Sequence, residues 1–164
     1  MSDYYDEISE GYDELHGEEQ IKKAKIIASE LDVKPYDTLL DVGCGTGIAT
    51  EIFNCKKTGV DPAKKLLEKC KFKTVNVGAE NLPFPYRSFD YVVSITAVHN
   101  FHSIQKGLEQ MFRVAKKAVV VSVLKKSKHL ALIKSLLEEH GSIFKTIEEE
   151  HDIIFFCKPI RRFK

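Results

Sequence analysis

Residues 39–50 read LLDVGCGTGIAT: two leucines, an acid at Asp41, a valine, then glycines at 43, 45 and 47. An apolar run that breaks at once into glycines describes a buried strand ending in a tight turn before a helix. Glycine is needed there because the chain must turn sharply and let a ligand come close where a Cβ would collide. In an open α/β sheet, ligands sit beyond the carboxyl ends of the strands, beside such a loop.

The spacing separates ligand classes. A dinucleotide fold wants G-x-G-x-x-G facing a pyrophosphate, whereas this turn is G-x-G-x-G with Ile48 at the third Rossmann position. Asp41 would repel a pyrophosphate and suits a cationic ligand such as a sulfonium or an amine. A nicotinamide dehydrogenase is disfavoured on both grounds. Asp61 closes the next apolar run, 18 residues beyond Gly43, close to the spacing at which an acid accepts hydrogen bonds from ribose hydroxyls. Pro62 then fits the first turn of a helix.

Outward from this centre the chain alternates. Strands are expected at TLLDVG, KTGVD, KTVNVG, FDYVVSI and AVVVSVL, with helices at TGIATEIF, PAKKLLEKC, SIQKGLEQMFRVA and KHLALIKSLLEEH. The β-rich runs are short and nearly all apolar, as in a parallel sheet covered on both faces. This is an α/β doubly wound pattern. Two further strands, IFKTIEEE and HDIIFFCK, have no helix between them, so one of them runs antiparallel to the rest. Before the first strand, ISEGYDELHGEEQIKKAKIIASELDV reads as a broken helix followed by a regular one, with Ile21, Ala24, Ile27, Ala28 and Leu31 on one face and Pro35 ending it.

Composition agrees with one domain over residues 1–164, at 43% hydrophobic and 30% charged residues. Net charge is +1, so whole-molecule attraction to nucleic acid or anionic membrane is weak. Charge is uneven: residues 1–20 carry eight acids and no Lys or Arg, and the tail KPIRRFK is basic. The cysteines, 44, 55, 70 and 157, lack metal-ligand or disulfide spacing, so no metal is expected. No apolar run approaches the roughly 20 residues of a membrane helix, and the start lacks a signal peptide's pattern. The expected location is the cytoplasm.

Taken in order, LLDVGCGTG, GVDPA, GAENLPFPYRSFDYVV and AVHNF resemble the class I S-adenosylmethionine-dependent methyltransferases, closest to the UbiE-like (methyltransferase type 11) subgroup, from about Tyr4 to Leu124. The resemblance implies a mostly parallel seven-stranded sheet with an antiparallel last strand. It implies S-adenosylmethionine as cofactor, S-adenosylhomocysteine as product, and an O, N or C nucleophile as acceptor. Asp41 and the turn Gly43, Cys44, Gly45 and Gly47 would take the methionine end. Asp61, with Pro62 after it, would hold the ribose. Ala79, Glu80 and Leu82 of GAENLPF would line the adenine, where many relatives have an Asp in place of Gly78. Thr96 and His99 of SITAVHNF lead into the reaction site, and residues 1–20 resemble a lid that brings Tyr4, Tyr5 and Tyr12 near the transferred methyl. Catalytic roles are thus assigned to His99, Tyr5 and Tyr12.

Each assignment has a plainer counterpart. Asp41 is either a ligand group or a cap for the next turn, His99 a proton acceptor or a pocket wall, and the tyrosines lid groups or packing residues. The short connections leave little chain for recognising an acceptor. A small molecule is therefore the expected acceptor; a partner protein, with a tRNA or protein substrate, is the alternative. A non-catalytic cofactor-binding module is the third reading.

Overall fold

The computed structural model describes residues 9–160. A helix α1 (Ser9–Leu31) leads into β1 (Thr38–Val42), β2 (Lys56–Val60), the one-turn α2 (Lys64–Leu67) and β3 (Lys73–Val75). Then come β4 (Phe89–Ile95), α3 (Ile104–Val114), β5 (Ala115–Leu124), α4 (Leu130–His140), β6 (Gly141–Glu148) and β7 (Asp152–Pro159). The sheet has seven strands in the order β3-β2-β1-β4-β5-β7-β6. Strands β1 to β5 pair in parallel, and β7 inserts antiparallel between β5 and β6.

Alternation along the strands divides the core. Leu40, Val92, Val119 and Val121 face α3 and α4 in one apolar layer; Leu39, Val93, Val120 and Phe156 face α1 in the other. Such two-sided burial is why the strand sequences read as unbroken apolar runs rather than alternating ones. Each fully buried Val, Leu or Phe is worth about 1.5–3 kcal/mol. Ser103 caps α3 by accepting from the Lys106 N–H at 3.2 Å. Arg113 at its other end donates to the carbonyls of Leu82 and Phe84 at 2.9 and 2.8 Å. That fork pins the segment after the β3 connection to the α3 layer.

Three helix expectations change. TGIATEIF forms a single 3-10 turn at Thr50–Ile52 rather than a helix. Gly47 sits at φ +81°, so helical geometry starts only after it, and the segment closes as one tight 3-10 turn before β2 opens at Lys56. PAKKLLEKC shortens to the one turn of α2. The segment expected to be broken is continuous as α1, and within it the bare Cα of Gly17 packs closely: a Cβ there would stand 3.3 Å from Ile48 Cδ1. Along α1, Ala24 and Ile27 are fully buried, and Ala28 and Leu31 pack beside them as expected. Lys23 on the same side is buried as well. The helix ends at Leu31, with Asp32 at φ +52°.

Candidate functional site

The order of strands reverses between β1 and β4, and the carboxyl ends of β1, β2 and β4 open there into one cleft of about 300 Å³. Gly43, Asp61, Pro62, Ala79, Glu80 and Thr96 line it. These six were expected from the sequence. Its apolar wall adds Leu66, Val77, Ile95 and Phe101, and its polar rim adds Asn100 and His102.

The glycine turn is built on β2. Gly43 and Cys44 donate their N–H groups to the Val60 carbonyl at 2.8 and 3.0 Å. Gly45 donates to Asp61 Oδ2 at 2.9 Å, and Ala63 donates to Asp61 Oδ1 at 2.8 Å. One carboxylate therefore ties the first turn to the start of the second while facing the cleft. Gly43, Gly45 and Gly47 all have positive φ. A Cβ on Gly43 would lie 2.7 Å from Ala97 Cβ, so the position demands glycine for two independent reasons.

Asp41 lies deeper. It is 2% exposed, and Oδ2 accepts from Thr50 Oγ1 at 2.7 Å. Oδ1 is buried and has no hydrogen-bond partner within the protein, which is costly for an ionised group. Burial pushes the Asp41 carboxyl up to about 7, the Thr50 hydrogen bond opposes this, and the charge of Asp61 adds to it.

Not every expected residue reaches the cleft surface. Asp41, Cys44, Gly45, Gly47 and Leu82 do not line it, although the turn residues shape it. His99 does not line it either. Its Nδ1 is buried without a partner, and burial holds its imidazole below the usual histidine range. The 3-10 turn Val98–Asn100 rotates successive side chains, so that Asn100 and His102 face the cleft instead. The direction of a side chain in such a turn carries no signal in composition or spacing. Tyr4 and Tyr5, the side chain of Tyr12, and the first part of the expected lid lie outside the described residues. All four cysteines are free thiols. Among the described residues no cluster of His, Cys, Asp and Glu is placed to hold a metal ion, and no helix is long and apolar enough to cross a membrane.

The family model described as a methyltransferase domain matches residues 40–123, just over half the chain. The chain belongs to this methyltransferase family. An uncharacterized protein of Methanocaldococcus jannaschii is 31% identical over 120 residues, covering 71% of this chain and 47% of that protein. A demethylmenaquinone methyltransferase of Symbiobacterium thermophilum is 29% identical over 140 residues, covering 71% and 55%. The chain thus spans about half the length of these curated relatives. In structure, the putative methyltransferase solved with the Trm112 activator of Haloferax volcanii matches with a TM-score of 0.81 at 14% identity, over 96% of this chain and 98% of that one. At that identity the likeness concerns the fold. It places the chain among the Rossmann-like sheets with an antiparallel last strand.

Proposed function

We propose that the protein transfers a methyl group from S-adenosylmethionine to an O, N or C nucleophile of a small-molecule acceptor and releases S-adenosylhomocysteine. The observation that carries this is the pairing of two acids with one glycine turn. Asp61 faces the cleft, and behind the turn Asp41 keeps a buried oxygen without a partner. A ligand with a cationic end and a ribose meets both needs. The cleft, at about 300 Å³, is at the lower end of single-ligand pockets.

The Gly43–Gly47 turn would hold the amino-acid end, with the charge of Asp41 acting on it from behind the turn, and Asp61 would hold the ribose. Ala79 and Glu80 would meet the adenine. Glu80 Oε1 stands 2.8 Å from where a Cβ on Gly78 would be, so its carboxylate occupies the space of the Asp that many relatives carry at position 78. Its other oxygen accepts from the Ser103 N–H at 2.9 Å, which holds it in place. Glu80→Ala is expected to weaken S-adenosylhomocysteine about tenfold while affecting the inosine analogue less, because the lost acceptor reads the adenine amino group. Equal losses for the two ligands, measured by calorimetry, would remove Glu80 from this role. The bound cofactor supplies an electrophilic methyl on a sulfonium. Positioning then does most of the work, and a base is required only for an acceptor that must lose a proton. His102 and Asn100 are the polar groups that the rim offers to such an acceptor.

Thermal unfolding tests the reading directly. S-adenosylhomocysteine at about 100 times its Kd should stabilise the protein by about 2.7 kcal/mol, a rise of roughly 5–10 °C, and NAD should not. A shift with NAD alone would reverse the ligand class. A second reading, that methyl transfer needs a partner subunit, is favoured by the short segments between β4 and α3 and between β5 and α4, which leave little surface for an acceptor. Its mark would be binding of S-adenosylhomocysteine without methyl transfer until a co-purifying protein is restored.

A further inference from the structure

Thr96 is where the cleft wall leaves the sheet. It is β-branched, yet it sits at φ +51°, a conformation such residues hold only when their surroundings compel it. Its hydroxyl donates to Asp152 Oδ2 at 2.7 Å and accepts from Lys23 Nζ at 2.8 Å. Its N–H donates to Ser122, to the hydroxyl at 2.8 Å and the carbonyl at 3.1 Å. Lys23 and Asp152 themselves form an ion pair at 3.1 Å, with side chains only 2% and 0% exposed. Gln20 completes the cluster, donating to the Ile95 carbonyl and accepting from Lys23 Nζ, both at 3.3 Å. Helix α1 and strands β4, β5 and β7 therefore converge on one residue.

Stability alone is a poor account of this arrangement. Removing a lysine and an aspartate from water costs about as much as their attraction returns, and a packed apolar pair in the same space is often equally stable or more so. What the pair holds is a better account. Ile95, Thr96 and Ala97 all line the cleft, and Ala97 packs against the first glycine of the turn, where a Cβ on Gly43 would come within 2.7 Å. On the proposed function, that is the end of the cleft taken by the amino-acid part of the cofactor.

We propose that Lys23 and Asp152 are positioning residues for cofactor binding: their buried ion pair clamps Thr96 in its left-handed conformation and so sets the Ile95–Ala97 wall against the amino-acid end of S-adenosylmethionine. The proposal rests on the cofactor reading above. It makes α1 part of the binding apparatus, although Lys23 and Asp152 do not line the cleft.

The deciding experiment uses the whole chain with Lys23→Met and Asp152→Leu combined. Melting temperature is measured along with affinity for S-adenosylhomocysteine and for 5′-methylthioadenosine, which keeps the adenosine and the sulfur but lacks the amino acid. The expected result is a melting temperature at or above the wild type, at least about tenfold weaker S-adenosylhomocysteine binding, and 5′-methylthioadenosine affinity unchanged within about twofold. Unchanged binding of S-adenosylhomocysteine, or an equal loss for both ligands, would overturn the positioning role. If the double variant does not fold, Thr96→Gly decides the point, since glycine accepts the left-handed region without strain but cannot be clamped. It should weaken S-adenosylhomocysteine selectively, and wild-type affinity for both ligands would refute the clamp. Failure of the wild-type protein to bind S-adenosylhomocysteine would instead defeat the cofactor reading itself and the inference with it.

Discussion

Asp41→Asn is expected to raise the melting temperature by roughly 8–16 °C at pH 8.5, by less than half as much near pH 5 and not at all below about pH 4, while weakening S-adenosylhomocysteine binding at least tenfold. The substitution is isosteric and keeps an acceptor for Thr50 Oγ1, which now donates at 2.7 Å. Burial raises the carboxyl from 3.8 to about 7, so the folded protein holds this proton more tightly than the unfolded chain. Its contribution to stability is therefore complete below about pH 4 and is lost as pH rises through 7. Above that, the native state carries a buried charge whose cost approaches about 4 kcal/mol. Asparagine removes that cost. It also removes the charge that suits a ligand ammonium group, which by the same electrostatics should draw Asp41 back toward ionisation and release a proton on binding near pH 7. Calorimetry in buffers of different ionisation enthalpy reads that proton directly. An equal gain in melting temperature at pH 5 and pH 8.5 would mean that Asp41 does not titrate in this range.

Asp61→Ala should be the most damaging single change at the cleft. The carboxylate accepts from Gly45 and Ala63 at 2.9 and 2.8 Å, and bonds to an ionised acceptor are worth about 1.5–3 kcal/mol each. Losing both predicts a destabilisation of about 3–6 kcal/mol and the disappearance of any thermal shift with S-adenosylhomocysteine. Asp61→Asn offers one carbonyl oxygen where two were used, so it should fall between the two. It separates loss of the turn from loss of the ribose acceptor: a variant with near-native melting temperature but no ligand shift isolates the second. Retention of the full shift in Asp61→Ala would remove Asp61 from the site.

The parts of this protein that were legible beforehand are those dictated by local chemistry. Glycines at 43, 45 and 47 require a turn whatever surrounds them, and all three have positive φ. The apolar runs around Leu39, Val92 and Val119 mark strands covered on both sides. Where local preference was weak, neighbours decided. TGIATEIF has helical composition but follows a glycine held at positive φ and runs directly into a strand that begins at Lys56, and it forms only a 3-10 turn. ISEGYDELHGEEQIKKAKIIASELDV reads as a broken helix followed by a regular one, yet it is continuous as α1, in which Gly17 packs close to Ile48.

The sequence by itself determined the sheet, its glycine turn, and the two acids beside it, because strand burial, glycine geometry and acid spacing are short-range properties. Only the tertiary structure decided that His102 rather than His99 reaches the cleft, and that Lys23 is buried against Asp152. Those two residues are 129 positions apart. Lys23 looks like a solvated charge on an amphipathic helix until β7 inserts beside β5 and brings Asp152 to the end of the sheet. A buried charge depends on its partner, and the partner is chosen by topology, which no local pattern encodes.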